Sequence, residues 1–141
     1  MKTVREVMTT DVDYCTPLDN VFEAAVKMRD LNVGAIPVVE DGRLIGMITD
    51  RDLVVRGIAE KRPGSSQVTE VMTKDVITVS PNTSVQEAAQ RMAEHQIRRL
   101  PVVENGRLVG IVSLGDLATY RYSDESAGRA LSAISEQHFL H

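Results

Sequence analysis

The sequence predicts an α+β protein in which one β-α-β-β-α unit occurs twice. The first observation is a repeat, since residues 68–117 align with residues 4–53 without a gap and about 23 of the 50 positions are identical. The second is a pair of primed hairpin turns, Asp41-Gly42 and Asn105-Gly106, each between apolar runs. We expect the copies to fold together, because about 60 residues alone make a marginal core.

Each copy begins with a short amphipathic turn, at residues 4–8 and 68–72, followed by a short predicted strand. The strands lie at residues 13–16 and 77–80, and a proline closes each. A helix follows with apolar residues on one face, and polar pairs at its start have the spacing of a capping box. These pairs are Asn20 with Glu23 and Ser84 with Glu87.

The hairpin strands are almost continuously apolar, which predicts that both faces of their sheet are covered. A second helix is predicted to begin at Thr49 or Ser113 and to run to about Gly57 or Arg121. Residues 61–66 have the composition of an exposed linker. Beyond the second copy, apolar residues at helical spacing predict a C-terminal helix within residues 126–137. The domain bounds are then 2–60, 67–122 and a helical tail at 123–141.

Composition excludes several classes of function. The net charge of −4 argues against a general nucleic-acid surface. No run approaches 18 apolar residues and the first residues lack a signal-peptide core, so we expect no membrane span and a cytoplasmic location. The single cysteine, Cys15, permits no internal disulfide and fits a reducing compartment, where it would act as a small core residue like the aligned Val79.

One polar pair recurs at the junction of hairpin and second helix: Thr49 with Asp52, and Ser113 with Asp116. A carboxylate there can accept hydrogen bonds from the cis-diol of a sugar, and the free amides of a first helical turn favour an anion. The same spacing is also that of an ordinary helix N-cap. On spacing alone, both interpretations stay open.

A pair of arginines, Arg98 and Arg99, precedes the second hairpin where the first copy has Gly34 and Ala35. Paired arginines can neutralise phosphates, but a solvated basic pair at a helix C-terminus explains them equally well. The sequence shows no nucleophile with an evident base and no metal-ligand spacing. We therefore expect no catalytic residue, no metal site and no required cofactor.

The order of elements and three recurring motifs resemble the CBS domain, which is named for cystathionine β-synthase. The motifs are Val-x-x-Val-Met-Thr, Pro-Val-Val at the hairpin entry, and Gly-x-x-Thr/Ser-x-x-Asp at its end. They occupy residues 4–9, 37–39 and 46–52, and again 68–73, 101–103 and 110–116. The resemblance covers residues 2–122, and Thr49 to Leu53 looks like the form in small bacterial stand-alone CBS pairs, including hypoxia- or stress-induced ones.

The resemblance implies a pseudo-twofold CBS pair whose two clefts bind an adenosine-containing ligand: AMP, ADP, ATP or S-adenosylmethionine. Asp52 and Asp116 would hold the ribose, with Thr49 and Ser113 beside them, and Arg98 and Arg99 would meet phosphates. The residues that match the adenine pocket are Thr16, Ile36, Ile48, Ile77, Ser80, Leu100 and Val112. In the family, the residues that precede Pro-Val-Val in one repeat help to line the cleft whose ribose carboxylate belongs to the other repeat. Arg98 and Arg99 would therefore favour ligand binding at Asp52.

The leading hypothesis is thus a non-enzymatic sensor of metabolites, energy state or stress that forms homodimers and signals to an unidentified protein target. The alternative is a structural or partner-binding dimer whose clefts are vestigial, with the polar pairs acting only as caps. An enzyme is the third and weakest hypothesis, because no acid–base pair is visible.

Overall fold

A computed structural model describes residues 2–119 of the chain. Its regular elements alternate as the repeat predicts, and the tandem α+β architecture is confirmed. The first copy contains α1 (Val21–Leu31), β1 (Ala35–Glu40), β2 (Arg43–Thr49) and α2 (Asp50–Asp52). The second contains α3 (Val85–His95), β3 (Arg99–Glu104), β4 (Arg107–Ser113) and α4 (Leu114–Ala118). Single 3₁₀ turns, Val4–Glu6 and Val68–Glu70, open the copies. The C-terminal helix predicted at 126–137 lies outside the described residues.

The described residues form two compact units, and each unit mixes the two repeats. The Asp52 unit comprises residues 13–76 and 106–108, and the Asp116 unit comprises residues 2–12, 77–105 and 109–119. The opening segment of each repeat therefore packs with the body of the other. This exchange was not predicted from the sequence.

The Asp52 unit is built on the hairpin of β1 and β2, which pair antiparallel from Ala35 with Thr49 to Glu40 with Arg43. The turn has φ of 52° at Asp41 and 81° at Gly42, as a primed turn requires. The core is formed by buried residues from α1, both strands and the opening segment of the second repeat. These residues are Cys15, Ala24, Met28, Ile36, Val38, Ile48, Leu53, Val68, Val71 and Met72.

The Asp116 unit repeats this plan with β3 and β4, and its turn has φ of 55° at Asn105 and 80° at Gly106. Its core draws on α3, both strands, α4 and the opening segment of the first repeat. The members are Val4, Val79, Val85, Ala88, Ala89, Met92, Leu100, Val102, Val112, Leu114 and Leu117. Within the Asp52 unit, Arg43 at the start of β2 pairs with Arg107, the first residue of β4.

The predicted strands at 13–16 and 77–80 reduce to single parallel bridges, Cys15 with Val38 and Val79 with Val102. The reason is local, because a turn begins directly after each bridge, at Thr16 and at Ser80. The amide of Thr16 donates to Asp19 Oδ2 at 2.7 Å, and that of Ser80 donates to Thr83 Oγ1 at 3.0 Å. Those amides are therefore not available to extend a strand.

The helix starts follow the predicted capping pattern, with one difference between copies. Asn20 and Glu23 form both bonds of a capping box, whereas the Ser84 side chain caps the Glu87 amide without a described reciprocal bond. The second helix of the first copy passes from α2 into a π-helix, Leu53–Gly57, and ends in the 3₁₀ turn Ile58–Glu60. Its end thus lies three residues beyond the predicted Gly57, while the predicted end at Arg121 lies outside the described residues.

Candidate ligand-binding site

The Thr49–Asp52 pair of the Asp52 unit is a capping box. Thr49 has extended backbone dihedrals, its Oγ1 accepts from the Asp52 amide at 3.0 Å, and Asp52 Oδ2 accepts from the Thr49 amide at 3.0 Å. Thr49 is the last residue of β2 and the helix begins at Asp50, so the end of the strand positions the side chains of Thr49 and Asp52. The capping interpretation is therefore confirmed for this pair, and any ligand would have to bind a carboxylate that already serves as a cap.

The Asp52 carboxylate has a further partner, which the sequence did not indicate. The Thr73 hydroxyl lies 3.1 Å from both Asp52 Oδ1 and Oδ2 and donates to this carboxylate. Asp52 is 6% exposed and is the one buried polar or charged residue in the part of the chain that the structure describes. Thr73 belongs to the repeated Val-Met-Thr motif, but Thr9 does too, so the motif gave no signal for a contact in one copy alone.

Backbone contacts hold Thr73 beside Asp52. The Thr73 amide donates to the Met47 carbonyl at 2.8 Å and its carbonyl accepts from the Met47 amide at 2.9 Å. Arg56 Nη1 donates to the preceding carbonyl, that of Met72, at 3.0 Å. A Cβ on Gly46 would lie 2.8 Å from the Thr73 carbonyl oxygen, so the glycine permits this close approach. The segment is fixed, and rotation of the side chain is the freedom that Thr73 retains.

The Ser113–Asp116 pair of the Asp116 unit makes the same capping box. Ser113 Oγ accepts from the Asp116 amide at 3.0 Å, and Asp116 Oδ2 accepts from the Ser113 amide at 2.9 Å. Here the carboxylate is half-buried. The Thr9 backbone pairs with Ile111 as Thr73 pairs with Met47, but within residues 2–119 no hydrogen bond joins the Thr9 hydroxyl to Asp116. Asp116 thus keeps more free acceptor capacity than Asp52.

The residue before each hairpin is bonded to the residue after each N-cap. The Asp50 amide donates to the Gly34 carbonyl at 2.9 Å, and the Leu114 amide donates to the Arg98 carbonyl at 2.8 Å. A Cβ at Gly34 would lie 2.9 Å from Oδ2 of the exposed Asp50 side chain, which would have to turn aside. The side chains of Arg98 and Arg99 are exposed, and neither has an ion pair within the described ranges.

The predicted adenine-pocket residues divide between the units and differ in burial. Four of them are core residues with at most 1% exposure: Ile36, Ile48, Leu100 and Val112. Thr16 and Ile77 are half-buried, and Ser80 is exposed. The hydroxyls of Thr16 and Ser80 accept from the amides two residues ahead at 3.2 Å. The four side chains belong to the two cores, and their role as a pocket wall stays a prediction.

Other chemistries find little support in residues 2–119. No group of three or more His, Cys, Asp or Glu side chains there could hold a metal ion. Burial, with a smaller contribution from the Asp19 charge, raises the pKa of the Cys15 thiol to about 11, which disfavours the nucleophilic thiolate. Across the same residues, none of the helices combines the length and apolar character that a membrane span needs.

Comparison with known proteins identifies the class. The family model of the CBS domain matches residues 4–57 and 68–123, so two copies account for most of the chain. Together with the repeated fold and the capped carboxylates, this match shows that the chain belongs to the CBS domain family. The resemblance read from the motifs is confirmed.

Close relatives are small CBS proteins of bacteria. The uncharacterized protein YlbB of Bacillus subtilis is 56% identical over 138 residues, covering 96% of this chain and 93% of the relative. The CBS domain-containing protein YhcV of Bacillus subtilis is 52% identical, with 97% and 98% covered. Hypoxic response protein 1 of Mycobacterium tuberculosis is 38% identical, with 85% of each covered.

Solved structures of similar chains include ligand complexes. Hypoxic Response Protein I with two coordinated zinc ions matches with a TM-score of 0.76 and 39% identity, covering 84% of this chain and 98% of that one. CBSX2 in complex with AMP matches at 0.76 and 27%, covering 89% and 99%. The CBS pair of protein MJ0100, in complex with 5-methylthioadenosine and S-adenosyl-L-methionine, matches at 0.72 and 27%, covering 84% and 94%.

Proposed function

We propose that this chain is a non-enzymatic regulatory CBS pair that binds an adenosine-containing ligand: AMP, ADP, ATP or S-adenosylmethionine. The observation that carries the proposal is the recurrence of a capped carboxylate, Asp52 and Asp116, at the end of each hairpin. The complexes of CBSX2 with AMP and of MJ0100 with S-adenosyl-L-methionine support the ligand class. The protein would act as a sensor of metabolites, energy state or stress in the cytoplasm.

The proposed chemistry is recognition of a ribose by carboxylates. An ionised carboxylate has about four acceptor positions, and each capping box uses one of them for an amide. A cis-diol can donate to those that remain, and charge-assisted bonds of this kind are about twice as strong as neutral ones. Thr49 and Ser113 would hold each carboxylate in position through the amides that they cap.

Phosphate recognition is assigned to Arg98 and Arg99. Both side chains are exposed, and no described carboxylate pairs with either of them. Guanidinium groups bind phosphates through paired N–H donors, so a nucleotide would gain more from them than adenosine does. Their service to the ligand held by Asp52, and the adenine contacts of Thr16, Ile77 and Ser80, remain predictions from the family resemblance.

Homodimer formation is part of the proposal. Within residues 2–119, the large apolar side chains that are clearly exposed all belong to the Asp52 unit. They are Tyr14, Leu18, Phe22, Leu31, Val54, Val55 and Ile58. Exposed apolar side chains that adjoin one another mark an interaction surface. A second copy of the chain would cover it, and an unidentified target protein would receive the signal.

A thermal-shift panel with AMP, ADP, ATP, S-adenosylmethionine and adenosine tests the function. A ligand that binds the folded state stabilises it by about 2.7 kcal/mol at a hundredfold excess over its dissociation constant, so the melting temperature should rise by several degrees. The matched control is the double variant Asp52→Ala/Asp116→Ala, which should not respond. A flat response of the wild-type chain at millimolar ligand would reject the proposal.

One observation favours the alternative of vestigial clefts. Both carboxylates already cap a helix, and Asp52 is additionally bonded to Thr73 and almost fully buried. In that case the chain would be a structural or partner-binding dimer. This alternative would be supported if the wild-type chain formed dimers but its melting temperature did not change with any ligand of the panel.

A further inference from the structure

The contact between Thr73 and Asp52 is the point at which the two polar pairs differ most. Thr73 lies within hydrogen-bond distance of both carboxylate oxygens, at 3.1 Å, and one of these oxygens also accepts from the Thr49 amide. The Asp52 residue is 6% exposed, so a ligand hydroxyl has little of its surface to approach. In the Asp116 unit the carboxylate is half-buried, and the equivalent Thr9 hydroxyl does not contact it in the described chain.

We propose that the Thr73 hydroxyl competes with a ligand hydroxyl for Asp52, and that this makes the Asp52 unit the weaker of two binding sites. The inference rests on the proposed function and names a residue that sets the ranking of the sites. The family resemblance implies that Arg98 and Arg99 favour ligand at Asp52, whereas Thr73 acts in the opposite direction. Thr73 is a positioning residue, since it acts on ligand through Asp52.

The anchoring of Thr73 decides how the competition proceeds. Two backbone bonds to Met47 and the bond from Arg56 to the Met72 carbonyl prevent the segment from sliding away. A diol can therefore displace the hydroxyl only by rotation about χ1 of Thr73. Threonine is β-branched and stiff at χ1, so the side chain has a few discrete positions. One keeps the hydroxyl on the carboxylate and another leaves the carboxylate to the ligand.

The experiment isolates the Asp52 site by titrating AMP calorimetrically into two full-length variants. Asp116→Ala keeps the Asp52 site alone, and Asp116→Ala/Thr73→Val also removes the hydroxyl while keeping the shape of the side chain. The second variant should bind AMP about tenfold more tightly, which corresponds to ~1.4 kcal/mol. Asp116→Ala/Thr73→Ser retains a hydroxyl and should bind like Asp116→Ala.

The matched control lies in the other unit. Thr9→Val in an Asp52→Ala background should change the AMP affinity less than twofold, because Thr9 does not contact Asp116. Equal or weaker binding after Thr73→Val, with AMP still bound by the wild type, overturns this inference and leaves the proposed function standing. Binding of AMP by none of the variants overturns both.

A second measurement covers the case in which Thr73→Val does not fold. In the wild-type chain, the three-bond couplings of the Thr73 methyl carbon report χ1. When the wild-type chain is saturated with AMP, the couplings at Thr73 should shift, while those at Thr9 should not change. The Asp52→Asn variant at the same AMP concentration should show no shift at Thr73. Couplings at Thr73 that do not move in the AMP-saturated wild type would contradict the competition.

Discussion

Asp52 and Asp116 stand at the same place of the same motif, yet their surroundings differ. Both close a capping box on a strand end, with bonds of nearly the same length. Asp52 is buried and bonded to a threonine from the opening segment of the other repeat, while Asp116 is half-buried and lacks that bond within residues 2–119. Equal motifs therefore do not make equal sites, because the segment packed over each motif decides what remains accessible.

The largest expected effect is on stability at Asp52. Replacement by alanine removes the reciprocal bond of the capping box to the Thr49 amide and leaves the Thr73 hydroxyl without its acceptor, so the free energy of unfolding should fall by about 2–3 kcal/mol. Asp116→Ala removes the reciprocal bond to the Ser113 amide alone and should cost about 1 kcal/mol. Urea denaturation of both variants measures the difference.

Asp52→Asn is the control for this comparison, because the amide oxygen retains an acceptor for both the Thr49 amide and the Thr73 hydroxyl. Its loss should be smaller than that of Asp52→Ala. Equal losses for Asp52→Ala and Asp116→Ala would show that the Thr73 contact contributes nothing to stability.

A second pair of substitutions tests whether the opening segments are packed equally closely against β2 and β4. A Cβ at Gly46 would lie 2.7 Å from Met72 Sδ, and one at Gly110 would lie 2.8 Å from Met8 Sδ. Gly46→Ala and Gly110→Ala should each lower the unfolding free energy by about 2 kcal/mol through overpacking. Circular dichroism melts check this. A clear difference between the two variants would mean that the opening segments are not held alike.

The third prediction concerns the exposed apolar side chains that one unit has. Leu18 is 89% exposed and Phe22 is 63% exposed, and the second repeat carries Asn82 and Gln86 at the aligned positions. The double variant Leu18→Asn/Phe22→Gln should weaken self-association about tenfold, or ~1.4 kcal/mol. Sedimentation velocity measures it, with Gln86→Ala as the control. An unchanged dimer population would place the interface elsewhere.

The smallest effect is expected at Cys15, where the aligned residue is the buried Val79. Cys15→Val should change the unfolding free energy by less than about 1 kcal/mol. Burial raises the thiol pKa from 9.0 to about 11, so the protonated form stabilises the folded state below about pH 9, and this contribution is lost as the pH rises through 11.

Thiol chemistry checks that prediction. The folded wild-type chain should react with a disulfide reagent at pH 8 far more slowly than the guanidinium-unfolded chain. Equal rates in the two states would mean that the thiol is accessible and that its pKa is not raised.

Local sequence patterns predicted the elements well, because each depends on neighbouring residues. The Asp41-Gly42 and Asn105-Gly106 turns and the capping pairs have the geometry that their residue types require. The strand at residues 13–16 was predicted too long, since the side chain of Asp19 captures the Thr16 amide. The helix that begins at Asp50 extends through a π-turn that no composition rule indicates.

The candidate site was harder to predict, because its decisive contact joins residues 21 positions apart. The pattern located Asp52 and its cap. It could not show that Thr73 reaches Asp52 while Thr9 stays away from Asp116, since both threonines follow the same Val-Met pair. Such a difference depends on the packing of opening segments, which the alignment of the two repeats does not contain.

The exchange of opening segments has a consequence for how the chain can be divided. Cleavage in residues 61–66 would give two pieces, and each would retain a hairpin but lose the opening segment of the other repeat, which completes its core. Neither piece should therefore fold in isolation, yet a mixture of the two should reassemble. Covalent linkage through the exposed linker would then serve mainly to raise the local concentration of one half around the other.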